Sequence, residues 1–250
     1  MLYKTIATLT LTFAALQVSA GSGHDSHWSY TDNTGPTHWG SLSTEYITCD
    51  SGQQQSPIDI TNSIKTDLPK LQFNYQQFPL TIINNGHTIA IKTKNVAGSL
   101  TVGDQSYKII GFHSHSPSEG AINGKHADMV MHLVHKSDAG KIAVVAVYFN
   151  KGEANPLITT LWDMIPKKIN EVEHHSDIQI DITKMLPADT NYYTYDGSFT
   201  TPPCTEGVKW IVLKQAMTIS TAQLEQYKKL YSNNVRPLQP LNGRKISSSN

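Results

Sequence analysis

Two histidines separated by a single residue are the side chains in this sequence best suited to binding a catalytic metal. His113 and His115 lie in a segment with the composition of a β-strand, where side chains at positions i and i+2 point to the same face. A second strand-like segment carries His132. Three imidazoles from two neighbouring strands predict a zinc site whose fourth position is open for water, which is typical of catalytic zinc sites. His135 lies an odd number of residues from His132 and is expected to face the other way.

The segments that must position these histidines belong to a series of short apolar runs separated by turn signals. The runs span residues 80–83, 87–93, 107–115, 129–135, 142–149 and 208–213. Asn84-Asn85-Gly86 predicts a hairpin turn between the first two runs, because Asn and Gly tolerate positive φ. Asn123-Gly124 and Asp138-Ala139-Gly140 separate later runs in the same way. Short strands with such regular turns favour a mainly β fold with a few short helices and a mostly antiparallel sheet.

Helix signals are few and lie in the second half of the chain. Asn155-Pro156 places a proline in the first turn of a predicted helix, and residues 220–223 match a capping box. Apolar residues follow both signals at helical spacing: Leu157, Leu161, Trp162 and Ile165 in the first segment, and Leu224, Tyr227, Leu230 and Tyr231 in the second.

The two ends of the mature chain have weaker patterns. Residues 21–56 predict an irregular arm held by the aromatic side chains Trp28, Tyr30, Trp39 and Tyr46, and residues 247–250 predict a frayed end. No internal repeat or low-complexity linker interrupts the chain. Residues 21–250 are therefore expected to form one domain.

The first 20 residues have the pattern of a signal peptide. Lys4 supplies an early positive charge, residues 6–18 are apolar, and Val18-Ser19-Ala20 offers the small residues of a cleavage site. The alternative is a buried N-terminal helix or strand. Export to the periplasm or the medium is expected. The mature chain is not expected to bind membrane or nucleic acid, because 20 basic and 20 acidic residues leave no net charge to attract either.

Two cysteines occur in the chain, Cys49 and Cys204. An even number of cysteines in an exported protein favours a disulfide bond, and the alternative is two unpaired buried thiols. The bond would span 204 − 49 = 155 residues. In the chain-entropy treatment, closing so long a loop stabilises the fold by roughly 4–5 kcal/mol.

Eight short motifs follow one another along the chain. They are Gly35-Pro36-Thr37-His38-Trp39-Gly40, Gln55-Ser56-Pro57-Ile58, Asn84-Asn85-Gly86-His87, Phe112-His113-Ser114-His115, Ser118-Glu119, His132-Leu133-Val134-His135, Thr200-Thr201-Pro202-Pro203-Cys204 and Arg236-Pro237-Leu238-Gln239-Pro240. In this order and spacing they resemble the α-class carbonic anhydrases, especially the exported bacterial ones. The resemblance implies a single domain around a large twisted sheet, with zinc at the base of a conical cavity. It also implies reversible hydration of CO₂ to bicarbonate and a proton through a zinc-bound hydroxide.

The resemblance also assigns roles to individual residues. His113, His115 and His132 match the zinc ligands, whereas His135 matches a position that is not a ligand. Thr200 matches the hydroxyl that accepts from the zinc-bound group and donates to Glu119. His87 matches the proton shuttle, which an imidazole suits because it titrates near neutral pH. Other matching positions are Tyr30 in the water network, and Thr200, Thr201, Val134, Val144, Phe199, Val208 and Trp210 around the substrate.

Several positions depart from the family pattern. Val130 and Gly111, each two residues before a zinc ligand, replace a glutamate and a glutamine that support the ligands in the family. Asp128 is expected to be too distant to replace them, since four strand residues span about 13 Å. Gly120 replaces a family histidine. Because loss of such a partner typically costs 10–100-fold in metal affinity or activity, weaker zinc binding and slower turnover are expected.

Two other departures concern the pocket. Phe199 is bulkier than the leucine common in the family, and Ala90 removes a polar group from the water network. The alternatives to the lyase are a carbonic anhydrase-like binding protein with an impaired site, and a zinc hydrolase acting weakly on esters. The protein is expected to be a monomer or a homodimer.

Overall fold

The apolar runs of the sequence form the strands of a large twisted sheet. The computed structural model describes residues 27–94 and 96–250, so the predicted signal peptide lies outside the described residues. The strands are β1 (Asp59–Ile60), β2 (Ile64–Lys65), β3 (Leu71–Tyr75), β4 (Phe78–Asn84), β5 (Ile89–Lys92), β6 (Gly98–Val102), β7 (Gln105–His115), β8 (Ala121–Ile122), β9 (Met129–Lys136), β10 (Ile142–Lys151), β11 (Glu171–Ile180), β12 (Tyr192–Ser198), β13 (Glu206–Leu213), β14 (Met217–Ile219) and β15 (Ser247–Ser248). The α-helices are α1 (Trp39–Leu42), α2 (Thr48–Ser51), α3 (Pro156–Asp163) and α4 (Thr221–Lys228).

The main path of the sheet runs in the order β11-β4-β5-β7-β9-β10-β13-β12-β15-β2. Neighbouring strands from β11 to β10 are antiparallel, whereas β10 pairs with β13 in parallel. Parallel pairs also join β10 to β14, β15 to β2, and β1 to β8. The prediction of a mainly β domain with a mostly antiparallel sheet is therefore confirmed.

Strands β7, β9 and β10 lie at the centre of this path and position the histidines. His113 on β7 lies directly opposite His132 on β9, and Ala146 on β10 lies opposite His132 on its other side. Because strand residues alternate between faces, Leu133 and His135 point away from the histidine face, where Leu133 joins the larger apolar core with Phe112. The histidine face is thus separated from the main core by the sheet itself.

Both predicted helices are confirmed, and both cover the larger core. The Asn155 side chain caps α3 by accepting from the backbone N–H groups of Leu157 and Ile158. Ser220 and Gln223 form the capping box of α4. Both predictions extend too far: α3 ends at Asp163, before Ile165, and α4 ends at Lys228, before Leu230, which is exposed.

The described part of the arm before β1 is held by aromatic rings, as expected, but it is not irregular throughout, because it contains the short helices α1 and α2. Trp39, which is fully buried, packs with Tyr46 and with the disulfide-bonded Cys49 and Cys204. The disulfide prediction is therefore confirmed, and its Cα atoms are 5.0 Å apart. Trp28 and Tyr30 pack against the same cluster.

The prediction of a frayed C-terminus is wrong. Strand β15 pairs with both β12 and β2, and Ser248 and Ser249 are buried. The segment contains few apolar residues, so the sequence carried no strand signal, and backbone pairing between two other strands orders it instead. Among the described residues, no helix is long and apolar enough to span a membrane.

Candidate metal centre and active site

The rings of His113, His115 and His132 meet on one face of the sheet. One nitrogen from each ring lies within 4.8 Å of the others, and the ring centroids are 4.9–5.4 Å apart. The His115 and His132 side chains are almost fully buried. The structure thus brings together the three ligands predicted from the sequence.

Hydrogen bonding fixes which nitrogen of His115 faces the common point. Its Nδ1 donates to the Asn234 carbonyl oxygen over 2.6 Å, so Nε2 keeps its lone pair. That Nε2 atom is buried and has no hydrogen-bond partner. It lies 3.5 Å from Glu119 Oε2, and His132 Nδ1 lies 3.9 Å from the same oxygen. The ligand atoms are therefore Nε2 of His115 and Nδ1 of His132.

The three rings fit a zinc ion. Burial lowers the pKa of His113 to about 3 and that of His115 to about 4, and it lowers the pKa of His132 as well. All three imidazoles are consequently neutral near pH 7, which is the form that binds zinc. Three neutral nitrogen donors that converge on one point match the ligand set of a zinc site with an open coordination position.

Glu119 is a buried carboxylate beside this centre. Its Oε1 accepts from the backbone N–H of Arg236 over 2.9 Å, while Oε2 is buried without a hydrogen-bond partner. Burial raises the pKa of the Glu119 carboxyl group to about 8, and its interactions with the Thr200 hydroxyl and with Arg236 counteract part of the rise. A bound dication would favour the carboxylate form further.

Thr200 lies in the loop that joins β12 to β13. Phe199 N–H donates to Thr205 O over 3.0 Å, and Cys204 N–H donates to Thr201 O over 2.8 Å, so the loop closes on itself. Its far end is tied to α2 through the disulfide of Cys204. The Thr200 side chain is buried and interacts with Glu119, which is the pairing expected from the sequence.

The predicted substrate wall forms one apolar cluster next to the histidines. Its buried members Val144, Val208 and Trp210 pack together, and Val134 and Phe199 pack against them. The Trp210 ring meets the His132 ring edge to face with centroids 4.9 Å apart. The wall therefore adjoins the open side of the metal centre, and Thr201 lies partly exposed next to Thr200.

His87 is half-buried and lies beside an opening to solvent. Trp28 stacks on its ring with centroids 3.8 Å apart and planes 7° apart. Both residues line an opening of about 700 Å³ together with Pro202 and Pro203. Burial, with a smaller contribution from the charge of His27, lowers the pKa of His87. Tyr30 packs edge-on to Trp28 and His87, and burial raises the pKa of its hydroxyl.

The structure shows the surroundings of three residues near the positions that depart from the family pattern. Gly111 lies at a β-bulge, where an added Cβ would come within 2.6 Å of the Ile91 carbonyl oxygen, so no larger residue fits. The Asp128 carboxylate accepts from the Lys151 backbone N–H and pairs with its ammonium group, and among the described residues no hydrogen bond joins it to His132. Ala90 lies opposite His113 and offers it no polar side chain.

Sequence reasoning missed three residues that build this site. Asn234 fixes His115, and its side chain also binds the Ser116 N–H, Ser114 O and His87 O. Arg236 orients Glu119, and its guanidinium donates to Gln55, Ser56 and Cys49. Trp28 holds His87. Arg236 opens one of the eight motifs, which was a signal for its importance, but no local pattern marks Asn234.

Known proteins are similar to this chain over most of its length. The sequence profile described as eukaryotic-type carbonic anhydrase matches residues 34–250. A carbonic anhydrase of Klebsiella pneumoniae is 45% identical over 224 residues, covering 88% of this chain and 90% of that protein. A solved hyperthermostable carbonic anhydrase, identified from an active hydrothermal vent chimney, aligns with a TM-score of 0.86 at 40% identity over 90% of this chain and 100% of that chain. Dioscorin, solved in complex with ascorbate, aligns with a TM-score of 0.83 at 36% identity over 89% of this chain and 97% of that chain.

Proposed function

This chain belongs to the eukaryotic-type, or α-class, carbonic anhydrase family, and we propose that its three-histidine centre binds Zn²⁺ and catalyses the reversible hydration of CO₂ to bicarbonate and a proton. The convergence of three neutral, buried imidazole nitrogens beside Glu119 is the observation that carries the proposal. When bound, zinc supplies a Lewis acid that lowers the pKa of a water molecule and so provides a nucleophile near neutral pH.

Thr200 and Glu119 orient the reacting group. Glu119 is held by the backbone N–H of Arg236, and its carboxylate accepts a hydrogen bond from the Thr200 hydroxyl. The Thr200 oxygen can then only accept from the reacting group. Such an arrangement admits groups that carry a proton and excludes those that do not, and it positions the nucleophile relative to CO₂.

The apolar wall and His87 serve the two remaining steps. CO₂ has no net dipole and is poorly hydrated, so the wall formed by Val134, Val144, Phe199, Val208 and Trp210 provides a binding surface without competing hydrogen bonds. His87 lies between the centre and solvent and accepts the proton that each hydration releases. Tyr30, next to His87, contributes to the water network that leads there.

A stopped-flow pH-indicator assay with CO₂ tests the proposal. Zinc-loaded protein should hydrate CO₂, and removal of the metal by a chelator should abolish the activity until zinc is restored. A His132→Ala variant serves as the control, because it lacks one ligand and should bind little zinc. If zinc-loaded parent protein shows no hydration, the proposal fails, and an impaired binding protein or a weak zinc esterase replaces it.

We also propose that residues 1–20 are a signal peptide and that the mature chain of residues 21–250 acts in the periplasm or outside the cell. The disulfide between Cys49 and Cys204 supports an oxidising location. Mass spectrometry of the protein expressed from its full sequence should give an N-terminus near Gly21. An intact N-terminus on the folded protein would contradict this proposal.

A further inference from the structure

A small cavity lies behind the zinc ligand His132. Its volume is about 10 Å³, which is close to the least that a single water molecule requires. Its lining includes His132, Tyr148, Tyr195 and Gly120, with apolar residues completing it. His113, His115 and Glu119 do not line it, so the cavity lies behind the His132 imidazole as seen from the other two ligands.

The His132 ring presents an unpartnered nitrogen away from the metal centre. Nδ1 faces Glu119 and the other ligands, so Nε2 carries the proton and points elsewhere. A ligating histidine usually donates this N–H to an acceptor that fixes the ring. Among the described residues, no hydrogen bond to this nitrogen is present. Val130, two residues earlier on the same strand face, has no acceptor atom to offer.

Tyr148 packs in the same apolar cluster as Val130. It lies directly opposite Val130 across the β9–β10 pair, while the small Ala146 lies opposite His132. The Tyr148 ring is therefore a diagonal neighbour of His132, within reach of an aromatic side chain. The residue is only 7% exposed, and its hydroxyl makes no hydrogen bond to the other described residues.

Glycine at position 120 is what allows the Tyr148 hydroxyl to lie there. A Cβ atom on Gly120 would come within 2.5 Å of the Tyr148 hydroxyl oxygen, so any larger residue would displace it. Tyr195 lines the same cavity, and its hydroxyl accepts from Ser56 Oγ at 3.5 Å. Three residues with a polar side-chain group, His132, Tyr148 and Tyr195, thus line a space of about one water molecule, and buried waters typically have two to four polar partners.

We propose that Tyr148 is a positioning residue for His132: its hydroxyl and that of Tyr195 hold one water molecule in this cavity, and that water accepts the Nε2–H of His132. This inference rests on the proposed zinc site. The water takes the place of a carboxylate. A neutral acceptor fixes the ring and its tautomer but adds no negative charge, so the ligand remains a weaker base than one paired with a carboxylate.

Replacement of Tyr148 by Phe removes the hydroxyl and keeps the ring. The variant should release zinc to a chelator about 10-fold faster than the parent, and the His132 Nε2 proton, observed by ¹⁵N–¹H NMR of the zinc-loaded protein, should exchange faster with solvent. Tyr192→Phe is the matched control: it also deletes a hydroxyl from a buried tyrosine, but that hydroxyl binds Pro69 O, away from the cavity. It should release zinc and exchange the proton at the parent rates.

A crystal structure of the zinc-loaded parent provides a second measurement that needs no variant. It should show one ordered water within about 3 Å of His132 Nε2. A dry cavity, or unchanged zinc release and proton exchange in Tyr148→Phe, would overturn the inference while leaving the proposed function intact. Failure of the parent to bind zinc would overturn both.

Discussion

At the scale of single residues, the contact between His87 and Trp28 sets the conditions for proton transfer. The two rings are stacked and nearly parallel, so Trp28 shields one face of the imidazole from water. Burial is the larger cause of the lowered His87 pKa. A lowered pKa means that the imidazolium loses its proton more readily. His87 therefore remains a neutral proton acceptor at pH values somewhat below its ordinary pKa of about 6.5.

Replacement of Trp28 by Ala should raise the His87 pKa towards its ordinary value, because both ring faces then meet water. The acid limb of the pH profile of kcat for CO₂ hydration should move to higher pH. Trp28→Phe keeps an aromatic ring against His87 and should move the limb less. An acid limb at the same pH in the parent and Trp28→Ala would contradict the assignment.

His87→Ala should lower kcat in dilute buffer by about 100-fold, with recovery on addition of imidazole.

The residues around the ligands also show where sequence reasoning reaches its limit. The ligands were predicted from spacing, strand parity and the family motifs around them, all of which are local. Asn234 acts on His115 from 119 residues away, and only the folded chain brings the two together. The sequence shows only that Gly111 replaces a family glutamine that supports a zinc ligand. The structure adds the reason, a bulge that leaves no room for a side chain at this position. The contacts that could not be predicted therefore join segments that are far apart in the sequence.

At the scale of elements, the length and the polarity of a strand decided whether it could be predicted from the sequence. Strands β9 and β10 have long apolar runs, because both of their faces are largely buried, whereas β7 is buried on both faces only towards its C-terminal end. Strand β11 is rich in polar residues, is buried only at Ile180, and lies at one end of the main path. It was not predicted, since its polar residues resemble a loop. The two-residue strands β2 and β15 have no pattern long enough to detect.

The β12–β13 loop is the element on which the reacting geometry depends most. It carries Thr200 and is attached to the arm through Cys204 and Cys49. A second set of contacts reinforces the attachment: Gln55 donates to the Cys204 carbonyl oxygen, and Arg236 donates to Gln55 and to the Cys49 carbonyl oxygen. The disulfide and this buried network hold the same two segments together.

Replacement of both cysteines by serine should destabilise the zinc-loaded protein by about 2–5 kcal/mol, because the unfolded chain regains the freedom of a 155-residue loop. Urea unfolding measures the loss. Zinc content should stay at the parent value, since none of the ligands lies in the β12–β13 loop, while kcat/KM should fall as Thr200 becomes less fixed. Arg236→Lys keeps the charge but loses the forked contacts. Its unfolding free energy therefore gives the contribution of the network, for comparison with that of the disulfide. A double serine variant as stable as the parent would contradict this account.

At the scale of the whole molecule, His135 connects the fold to its behaviour in acid. It is fully buried on the face of the sheet opposite the zinc ligands, and its Nε2 shares a 2.7 Å hydrogen bond with the Tyr75 hydroxyl. Burial lowers the pKa of His135 to about 4, although backbone contacts raise it slightly. In the unfolded chain the same imidazole titrates near 6.5. The unfolded state therefore binds a proton that the folded state excludes between about pH 6.5 and pH 4.

This difference determines the sign of the pH dependence. Because the unfolded state binds more protons in that window, the free energy of unfolding rises with pH and falls as pH is lowered from about 6.5 to 4. The contribution of His135 is fully present above pH 6.5. One proton corresponds to a slope of at most about 1.4 kcal/mol per pH unit. Over the whole window the loss from this one residue is about 3 kcal/mol.

His135→Gln should reduce that slope, because glutamine can still bind Tyr75 but does not titrate. The measurement is urea unfolding between pH 7 and pH 4.5 on metal-free protein, where the zinc ligands contribute equally to parent and variant and cancel in the difference. Tyr75→Phe is the control: it removes the hydrogen bond but leaves a buried, titrating imidazole, so its slope should stay close to that of the parent while its stability is lower throughout. Parallel curves for the parent and His135→Gln would show that acid acts on the fold through other groups.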